Sequence, residues 1–413
     1  MTLVLFGLMI LLFAVNVPIA FAVGIVSMVC IYFFTPVPLM IIIQTMMRGT
    51  DSFPFMAIPF FVLAGQLMEQ GDISRRIIDF ASALVGFVRG AMAMITVVAA
   101  MFFAGISGSA AADAAAVGSI MIPAMEKKKY QKSFSVAIQS AAGSVGVIIP
   151  PSIPMVIYGI TANVSIAKLF LGGYIPGLLM GLGLMAMSYV FARVFNYPRE
   201  DSFSLRRVWA TFKKSFLSLM TAVIIIGGIL SGIFTATEAA AIAVLYALIL
   251  VLVVYRSITL KDVWNIFIKS CYTSSIVMIT IATASTLSWI LASQQIPQKI
   301  ATFIVETLQN PFLILLAINA MLLVVGAFLD CSPAIIIFVP ILTFGCMVVI
   351  NLAIGLATPP VGVCTFVSCS VGNASISEIT KPLLILLSMM VLILLFVAYI
   401  PSLTTLLPRL FMG

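Results

Sequence analysis

Two proline pairs inside apolar segments constrain the fold of this chain more than any other feature. The first pair lies in GSVGVIIPPS (Gly143–Ser152) and the second lies in GLATPPVG (Gly355–Gly362). Because proline lacks an N–H and crowds the carbonyl four residues earlier, neither segment can form one continuous helix. In a membrane such a break is stable only where protein or a polar cavity satisfies the freed backbone groups. We therefore predict two interrupted helices that line a site, a pattern typical of transporters.

The apolar segments around these breaks are typical of a membrane protein. Of the 413 residues, 63% are hydrophobic and 8% are charged, whereas a soluble surface needs many more charges. The apolar runs extend over roughly 15–30 residues without a period of two, which favours membrane helices over a β-barrel. The predicted fold class is an all-α integral membrane protein.

The basic residues predict the orientation of the chain in the membrane. The net charge of +8 comes from 21 Lys and Arg against 13 Asp and Glu. Many of the cations lie in two short loops, 126–132 and 193–214. Short basic loops follow the positive-inside rule, so both loops are predicted to be cytoplasmic, and a nucleic-acid-binding protein is excluded.

The features of the first half recur in the same order in the second half. The proline pairs are 209 residues apart (359 − 150), and the N-x-S-I motifs that begin at Asn163 and Asn373 are 210 apart (373 − 163). Counting membrane crossings predicts that the halves are inverted, with one re-entrant hairpin and one discontinuous helix in each. The first repeat is predicted over 1–192, with its hairpin at about 91–125 and its broken helix at 133–162. A cytoplasmic basic linker is predicted over 193–215. The second repeat is predicted over 216–413, with its hairpin at about 311–342 and its broken helix at 346–371.

One connection in the second half is shorter than this symmetry predicts. Upstream, the matching motifs that begin at Ile73 and Ile296 are 223 residues apart (296 − 73), so the offset falls by 14 (223 − 209) before the second break. ILTFGC (Ile341–Cys346) leaves too few residues to join a hairpin to a spanning helix. Either this connection is minimal or residues are missing from the sequence at this point, and the second interpretation is favoured.

The tip of the first hairpin, GISG (Gly105–Gly108), has three interpretations. Small residues allow helices to pack closely. A G-x-S-G motif also occurs in intramembrane serine proteases, but these need a histidine base and the chain has no histidine. The third interpretation is an ion or substrate site, because serine hydroxyls and freed carbonyls are hard oxygen ligands that suit Na⁺. Without histidine or a CxxC pair, Na⁺ is the only metal ion that we predict.

Three acidic residues lie in apolar segments, where a charge is costly and usually functional. Asp330 is the preferred candidate, as a group that shapes the site or as a ligand for a substrate hydroxyl. Asp113 and Glu238 could equally be charges at helix starts. No buried arginine is predicted to bind a carboxylate, so the N-termini of half-helices are the candidate anion sites.

Four segments together resemble a known family. GISGSAAADAAAVGSIMIP, IIPPSIPMVIYG, ATEAAAIAVLYAL and NLAIGLATPPVGV are similar to the large membrane subunit of tripartite ATP-independent periplasmic (TRAP) transporters. The resemblance covers nearly the whole chain. It departs near Thr343–Gly345, where members have a longer connection, in agreement with missing residues.

The resemblance implies a sodium-driven importer of the elevator type in a bacterial inner membrane. It also implies two partners, a small four-helix membrane subunit and a periplasmic substrate-binding protein. The implied substrates are organic carboxylates such as C4-dicarboxylates and sialic acid. Pocket hydroxyls slightly favour a polyhydroxylated acid such as sialic acid.

The family motifs also imply site residues at matching positions of this sequence. One Na⁺ site is expected at Ser107, Ser109, Gly146, Ile149 and Pro151. A second Na⁺ site is expected at Gly326, Asp330, Gly355, Thr358 and Pro360. The substrate carboxylate is expected between the hairpin tips, near Ser109, Ser152, Asp330, Ser332 and Thr358. The alternative function is a stand-alone divalent-anion/sodium symporter of related fold that works without a binding protein.

Overall fold

A computed structural model describes residues 1–15, 17–199, 203–339, 345–360 and 362–412. Over these ranges the chain consists of helices and the turns between them, without a strand. Six helices are long and apolar enough to cross a membrane, and a seventh crossing is possible if the helices over 40–50 and 53–70, bent by 67°, form one span. The predicted all-α integral membrane protein is therefore confirmed, and the chain crosses the membrane several times.

Within the described ranges, each half contains ten α-helices, and those of the first half come first. In chain order they are α1 Thr2–Ala14, α2 Ile19–Phe34, α3 Met40–Thr50, α4 Ala57–Gln70, α5 Ile73–Val85, α6 Ala91–Ser107, α7 Ala110–Lys127, α8 Lys132–Ser144, α9 Ile153–Thr161 and α10 Ile166–Val194. Short 3₁₀ turns over Phe53–Met56 and Val145–Val147 precede α4 and follow α8.

The second half contains another ten. They are α11 Leu205–Leu230, α12 Ala236–Ile249, α13 Leu260–Ser293, α14 Ile296–Leu308, α15 Pro311–Phe328, α16 Cys331–Phe338, α17 Gly345–Leu356, α18 Val363–Gly372, α19 Ile376–Tyr399 and α20 Ser402–Met412. A π-helical turn over Leu250–Val254 extends α12.

Both predicted hairpins and both predicted breaks coincide with interruptions between helices. Helices α6 and α7 meet at a two-residue tip, and α15 and α16 meet at another. Helices α8 and α9, and likewise α17 and α18, are separated at the proline pairs, as the missing N–H groups require. The re-entrant course of the hairpins and the inversion of the halves remain predictions. The predicted missing residues near Thr343–Gly345 fall mainly on 340–344, outside the described ranges.

Capping explains two boundaries that the apolar pattern alone leaves open. Helix α11 starts inside the predicted linker because the Ser204 hydroxyl accepts a hydrogen bond from the Arg207 N–H at 3.4 Å. Glu238 is exposed and forms a capping box with Thr235, whose N–H donates to the carboxylate at 2.8 Å. The helix-start interpretation of Glu238 is therefore confirmed.

The two halves pack together around the breaks. Helix α18, which follows the second break, packs against α7 and α8 of the first half. Helix α16 packs against α9, and α15 packs against α17. Each break is thus surrounded by helices, as an interrupted helix in a membrane requires.

Candidate functional site

A buried carboxylate organises the first hairpin tip. Asp113 is fully buried in the first turn of α7, and its Oδ1 accepts a short hydrogen bond from the Ser107 hydroxyl at the end of α6. The Ser107 hydroxyl in turn accepts from the Ser109 N–H at 3.2 Å. Ser109 caps α7, where its side chain accepts from the Ala112 N–H at 3.5 Å. Both predicted serines therefore lie at the tip, next to an acidic residue.

The other oxygen of this carboxylate faces the first break. Asp113 Oδ2 is buried and has no hydrogen-bond partner among the described residues. It lies so close to Gly146 that any side chain at this glycine would collide with it. The Gly146 carbonyl also lacks its usual helical donor, because Pro150 occupies the position four residues later. A buried carboxylate oxygen thus lies next to the backbone of the first break at Gly146.

The hairpin tip also rests directly on the proline pair. Gly108 has a φ of +61°, and its carbonyl accepts a hydrogen bond from the Ile153 N–H at 3.2 Å. A methyl group at this glycine would lie 2.8 Å from the Pro151 carbonyl oxygen. Only glycine combines this backbone conformation with so close an approach. The tip and Pro151 are therefore held together through main-chain contacts.

Helix α8 holds the start of α7 in place. The Gln139 amide donates hydrogen bonds to the Asp113 and Ala114 carbonyls at 3.2 and 3.4 Å. A methyl group on Gly143 would lie 3.0 to 3.2 Å from the backbone and Cβ of Ala114, so the two helices are in close contact there. This packing fixes the distance between Asp113 and the break.

The two other candidates in the first half are also buried. Ile149 lies in the break and is 8% exposed. Ser152 is fully buried and caps α9, accepting from the Met155 N–H at 3.3 Å. Its hydroxyl proton is donated to the Val147 carbonyl at 2.6 Å, so it is not available to a substrate in this arrangement.

In the second half, as in the first, a hairpin helix packs closely against a broken helix, and here two glycines form the contact. A methyl group on Gly355 would lie 2.5 Å from the backbone of Gly326, where α15 and α17 meet. The Gly355 carbonyl accepts from the Thr358 N–H at 2.9 Å, because Pro359 offers no donor. The Thr358 hydroxyl donates to the Ile354 carbonyl at 2.8 Å. Three predicted ligands therefore share this contact.

The remaining candidates of the second half differ in their exposure to solvent. Asp330 is half-buried at the N-cap of α16, but its side chain does not form a capping hydrogen bond. Ser332 is buried in the first turn of the same helix. Pro360 is exposed, in contrast to the buried Pro151 of the first half. The predicted Na⁺ ligands of the second half are thus more exposed than those of the first half.

A hydroxyl bridge connects the two halves. The Thr365 hydroxyl of α18 donates to the Ala357 carbonyl at 2.8 Å, within the second break. It also lies 2.9 Å from the Ser140 hydroxyl of α8. Ser140 follows Gln139, which holds the start of α7. Two adjacent residues of α8 are therefore hydrogen-bonded to the start of α7 and to Thr365 at the second break.

Sequence reasoning gave too little weight to several of these residues. From the sequence, Asp113 is one of two acids that could simply be charges at helix starts. No motif in the sequence analysis includes Gln139, Ser140 or Thr365. The available signal was the presence of polar side chains in apolar segments within two or three turns of a proline pair. Such side chains need buried partners in a membrane.

Replacing Thr365 with valine should destabilise the protein. Valine keeps the shape but leaves the Ala357 carbonyl and the Ser140 hydroxyl without this partner, at a cost of about 1–3 kcal/mol. Thermal unfolding of the purified protein in detergent measures the loss. Thr380→Val is the matched control, because among the described residues the Thr380 hydroxyl bonds only to Ile376 of its own helix. Equal stability of the two variants would contradict a bridging role.

The comparison with protein families decides the identity. The family model described as "Tripartite ATP-independent periplasmic transporter, DctM component" matches residues 6–403. The chain belongs to this family. It is the large membrane subunit of a TRAP transporter, as the resemblance predicted.

Curated relatives of this TRAP subunit cover almost its full length. Protein YgiK of Salmonella typhimurium, which is uncharacterized, is 42% identical over 99% of the chain and 97% of its own length. The sialic acid TRAP transporter large permease protein SiaM of Vibrio cholerae is 38% identical over 99% of the chain and 98% of its own length.

A third relative is a longer protein. The isethionate TRAP transporter permease protein DctMQ of Oleidesulfovibrio alaskensis is 40% identical over 97% of the chain, which spans 65% of that relative. The family and the named TRAP relatives are transporter permeases, so the protein is a transporter and not an enzyme.

Proposed function

We propose that this TRAP subunit imports an organic acid by coupling its movement to the inward flow of Na⁺. The observation that carries the proposal is the buried Asp113 carboxylate, whose free Oδ2 faces the first break. No lysine or arginine of the described ranges forms an ion pair with it. An unpaired charge inside a membrane is expensive, and a bound cation would compensate for it.

The first Na⁺ site would combine Asp113 with the predicted ligands around the tip. The carboxylate, the hydroxyls of Ser107 and Ser109, and the carbonyls of Gly146, Ile149 and Pro151 are hard oxygen donors, which suit Na⁺. Their arrangement supports the proposal because the tip and the break touch through main-chain contacts. A bound ion would hold the tip against the break.

The second Na⁺ site would lie at Gly326, Asp330, Gly355, Thr358 and Pro360. The contact between Gly326 and Gly355 supports this set, whereas Asp330 and Pro360 lie in a more open region. An ion here would draw Asp330 towards the break. Coupling follows if the substrate anion binds between the tips only after both breaks are ordered by Na⁺.

Substrate recognition is proposed to use the N-termini of the half-helices. Ser109 lies at the start of α7, while Asp330 and Ser332 lie at the start of α16. Helix N-termini attract carboxylates, and hydroxyls suit a polyhydroxylated acid. The relatives named for isethionate and sialic acid support an organic acid as the substrate class. The slight preference for sialic acid stays a prediction.

The proposed setting is the bacterial inner membrane, with the basic loops 126–132 and 193–214 in the cytoplasm. The partners would be a small four-helix membrane subunit and a periplasmic binding protein that delivers the substrate. In the elevator mechanism, the hairpins and breaks would move together against a scaffold. The hydroxyl bridge between Ser140 and Thr365 supports joint movement of the two halves of this core.

Uptake into proteoliposomes that contain both membrane subunits and the binding protein tests the proposal. Ser107→Ala and Thr358→Ala should each raise the Na⁺ concentration needed for half-maximal uptake by about tenfold, because each removes one oxygen ligand. Ser388→Ala is the control, since that exposed serine donates a hydrogen bond to Ile385 of its own helix and has no other partner in the described part of the chain. Wild-type Na⁺ dependence in both site variants would contradict the assignment.

The same assay separates the proposal from a stand-alone symporter. A TRAP transporter should lose uptake when the binding protein is omitted, whereas a stand-alone divalent-anion/sodium symporter should not. Undiminished uptake without the binding protein would favour that alternative. A thermal-shift screen of the binding protein against organic acids would then identify the substrate.

A further inference from the structure

A basic pocket lies at the C-terminal end of α10, apart from the hairpins and breaks. It has a volume of about 460 Å³ and is lined by Arg89, Tyr189, Arg193, Asn196, Tyr197, Pro198 and Arg199. These residues come from the loop before α6, the last turns of α10 and the turn that follows α10. Three arginines thus line one cavity, and none of the described lining residues carries a carboxylate.

Hydrogen bonds and aromatic packing hold the walls of this pocket in place. The Gly90 N–H donates to the Pro198 carbonyl at 3.2 Å, which ties the loop of Arg89 to the turn of Arg199. Tyr197 is 4% exposed, and its ring stacks on Tyr130 with a centroid distance of 4.0 Å. The Tyr197 hydroxyl accepts from the Gln131 N–H at 3.3 Å. The loop that contains Arg89 and the turn that contains Tyr197 are therefore both held in place by the surrounding structure.

Tyr189 orients one of the three arginines. Its hydroxyl accepts hydrogen bonds from Nε and Nη2 of Arg193 at 3.0 and 2.7 Å. Guanidinium groups bind phosphate oxygens through two parallel hydrogen bonds, which a lysine cannot do. Bringing three such groups together costs electrostatic repulsion, and an anion in the cavity would offset that cost.

The surface beside the pocket indicates what kind of anion this is. Leu178, Leu182, Val190 and Val194 of α10 are 52%, 50%, 49% and 67% exposed. They recur at spacings of four and eight residues, with exposed Ala186 between them, so they form one apolar ridge that ends beside Arg193. A free phosphate would use only the basic pocket. A phospholipid would use both, with its phosphate among the arginines and its acyl chains along the ridge.

We propose that this pocket binds the headgroup of an anionic phospholipid. The phosphate would lie between Arg89, Arg193 and Arg199, and the acyl chains would cover the apolar ridge of α10. Tyr189 and Tyr197 are typical of the membrane–water interface, where a lipid headgroup lies. Such a lipid would fix the end of α10 at the membrane surface.

Native mass spectrometry of the purified full-length chain with phosphatidylglycerol tests this proposal. The wild type should retain the lipid, and Arg89→Gln/Arg193→Gln should bind it roughly tenfold more weakly. Arg206→Gln/Lys214→Gln is the matched control, because it removes two exposed charges of α11 outside the pocket. The control should change binding by less than about twofold if the pocket, and not net charge, binds the lipid.

Three further measurements test the proposal. Tyr189→Phe removes only the hydroxyl that orients Arg193 and should also weaken lipid binding, even if the double variant unfolds. Phosphatidylcholine should not be retained, and millimolar inorganic phosphate should not displace phosphatidylglycerol. Equal lipid loss in the pocket and control variants, retention of phosphatidylcholine, or displacement by phosphate would each overturn the proposal.

Discussion

Replacing Gly355 with alanine should abolish transport and destabilise the protein. The added methyl group would lie 2.5 Å from the backbone carbons of Gly326 and 2.7 Å from its carbonyl oxygen. Because all of these are main-chain atoms, no side-chain rotation can relieve the contact, and α15 must move away from α17. Overpacking of this kind costs about 1–3 kcal/mol or more. We expect Na⁺-driven uptake into proteoliposomes to fall to the background level and thermal stability to fall with it.

Two other glycines make this prediction quantitative. Gly326→Ala should have an intermediate effect, since its methyl group would lie 3.1 Å from the Gly355 Cα. Gly227→Ala is the matched control, because nothing lies within 4 Å of the added methyl group and alanine is favoured in a helix. The loss of uptake and of thermal stability should be largest for Gly355→Ala, smaller for Gly326→Ala and smallest for Gly227→Ala. Wild-type uptake and stability of Gly355→Ala would show that this contact is not required.

Replacing Asp113 with asparagine should weaken Na⁺ coupling more than any other charge-neutralising change. Asparagine keeps the size of the side chain and can still accept the hydrogen bond of Ser107, but it removes the negative charge that faces Gly146. By analogy with residues that support metal sites, we expect the Na⁺ concentration for half-maximal uptake to rise by about 10–100-fold. Uptake measured over a range of Na⁺ concentrations gives this value directly.

A measurement without substrate separates Na⁺ binding from transport. Added Na⁺ should raise the thermal stability of the purified wild type, because a ligand stabilises the state that binds it, and the effect should be lost in Asp113→Asn. Asp79→Asn is the control, since Asp79 is exposed on α5. If Asp113→Asn and Asp79→Asn respond to Na⁺ like the wild type, Asp113 does not take part in the Na⁺ site.

Much of the architecture follows from the sequence because prolines and apolar length act locally. The boundaries of α6, α7, α8 and α9 agree with the predicted first hairpin and break to within a few residues. Elsewhere the apolar pattern was less informative. The apolar run over residues 3–34 is long enough for one span, whereas the structure has α1 and α2, with Pro18 at the start of the second helix. A proline signals an interruption but does not say whether the helices on either side remain one span.

Some of the candidate site residues could be predicted from the sequence, whereas others depend on the tertiary structure. The family motifs imply Ser107, Gly146 and Gly355 as Na⁺ ligands, and this assignment stays a prediction. The role of Asp113 could not be predicted, since an acid in the first turn of a helix is common on exposed surfaces. Only burial against Gly146 distinguishes it from Glu238, which the structure places in an exposed capping box.

Composition and the two proline pairs are enough to predict that the chain is helical, lies in a membrane and is interrupted twice in matching places. Those properties depend on hydrophobicity and on the missing N–H of proline, which are fixed by each residue and its neighbours. The groups that face each break are known only from the folded arrangement of the helices. The contacts of Asp113 with Gly146, of Gly326 with Gly355 and of Ser140 with Thr365 join residues that are 33, 29 and 225 positions apart (146 − 113, 355 − 326 and 365 − 140). Such contacts depend on how the helices pack, and local sequence does not specify that packing.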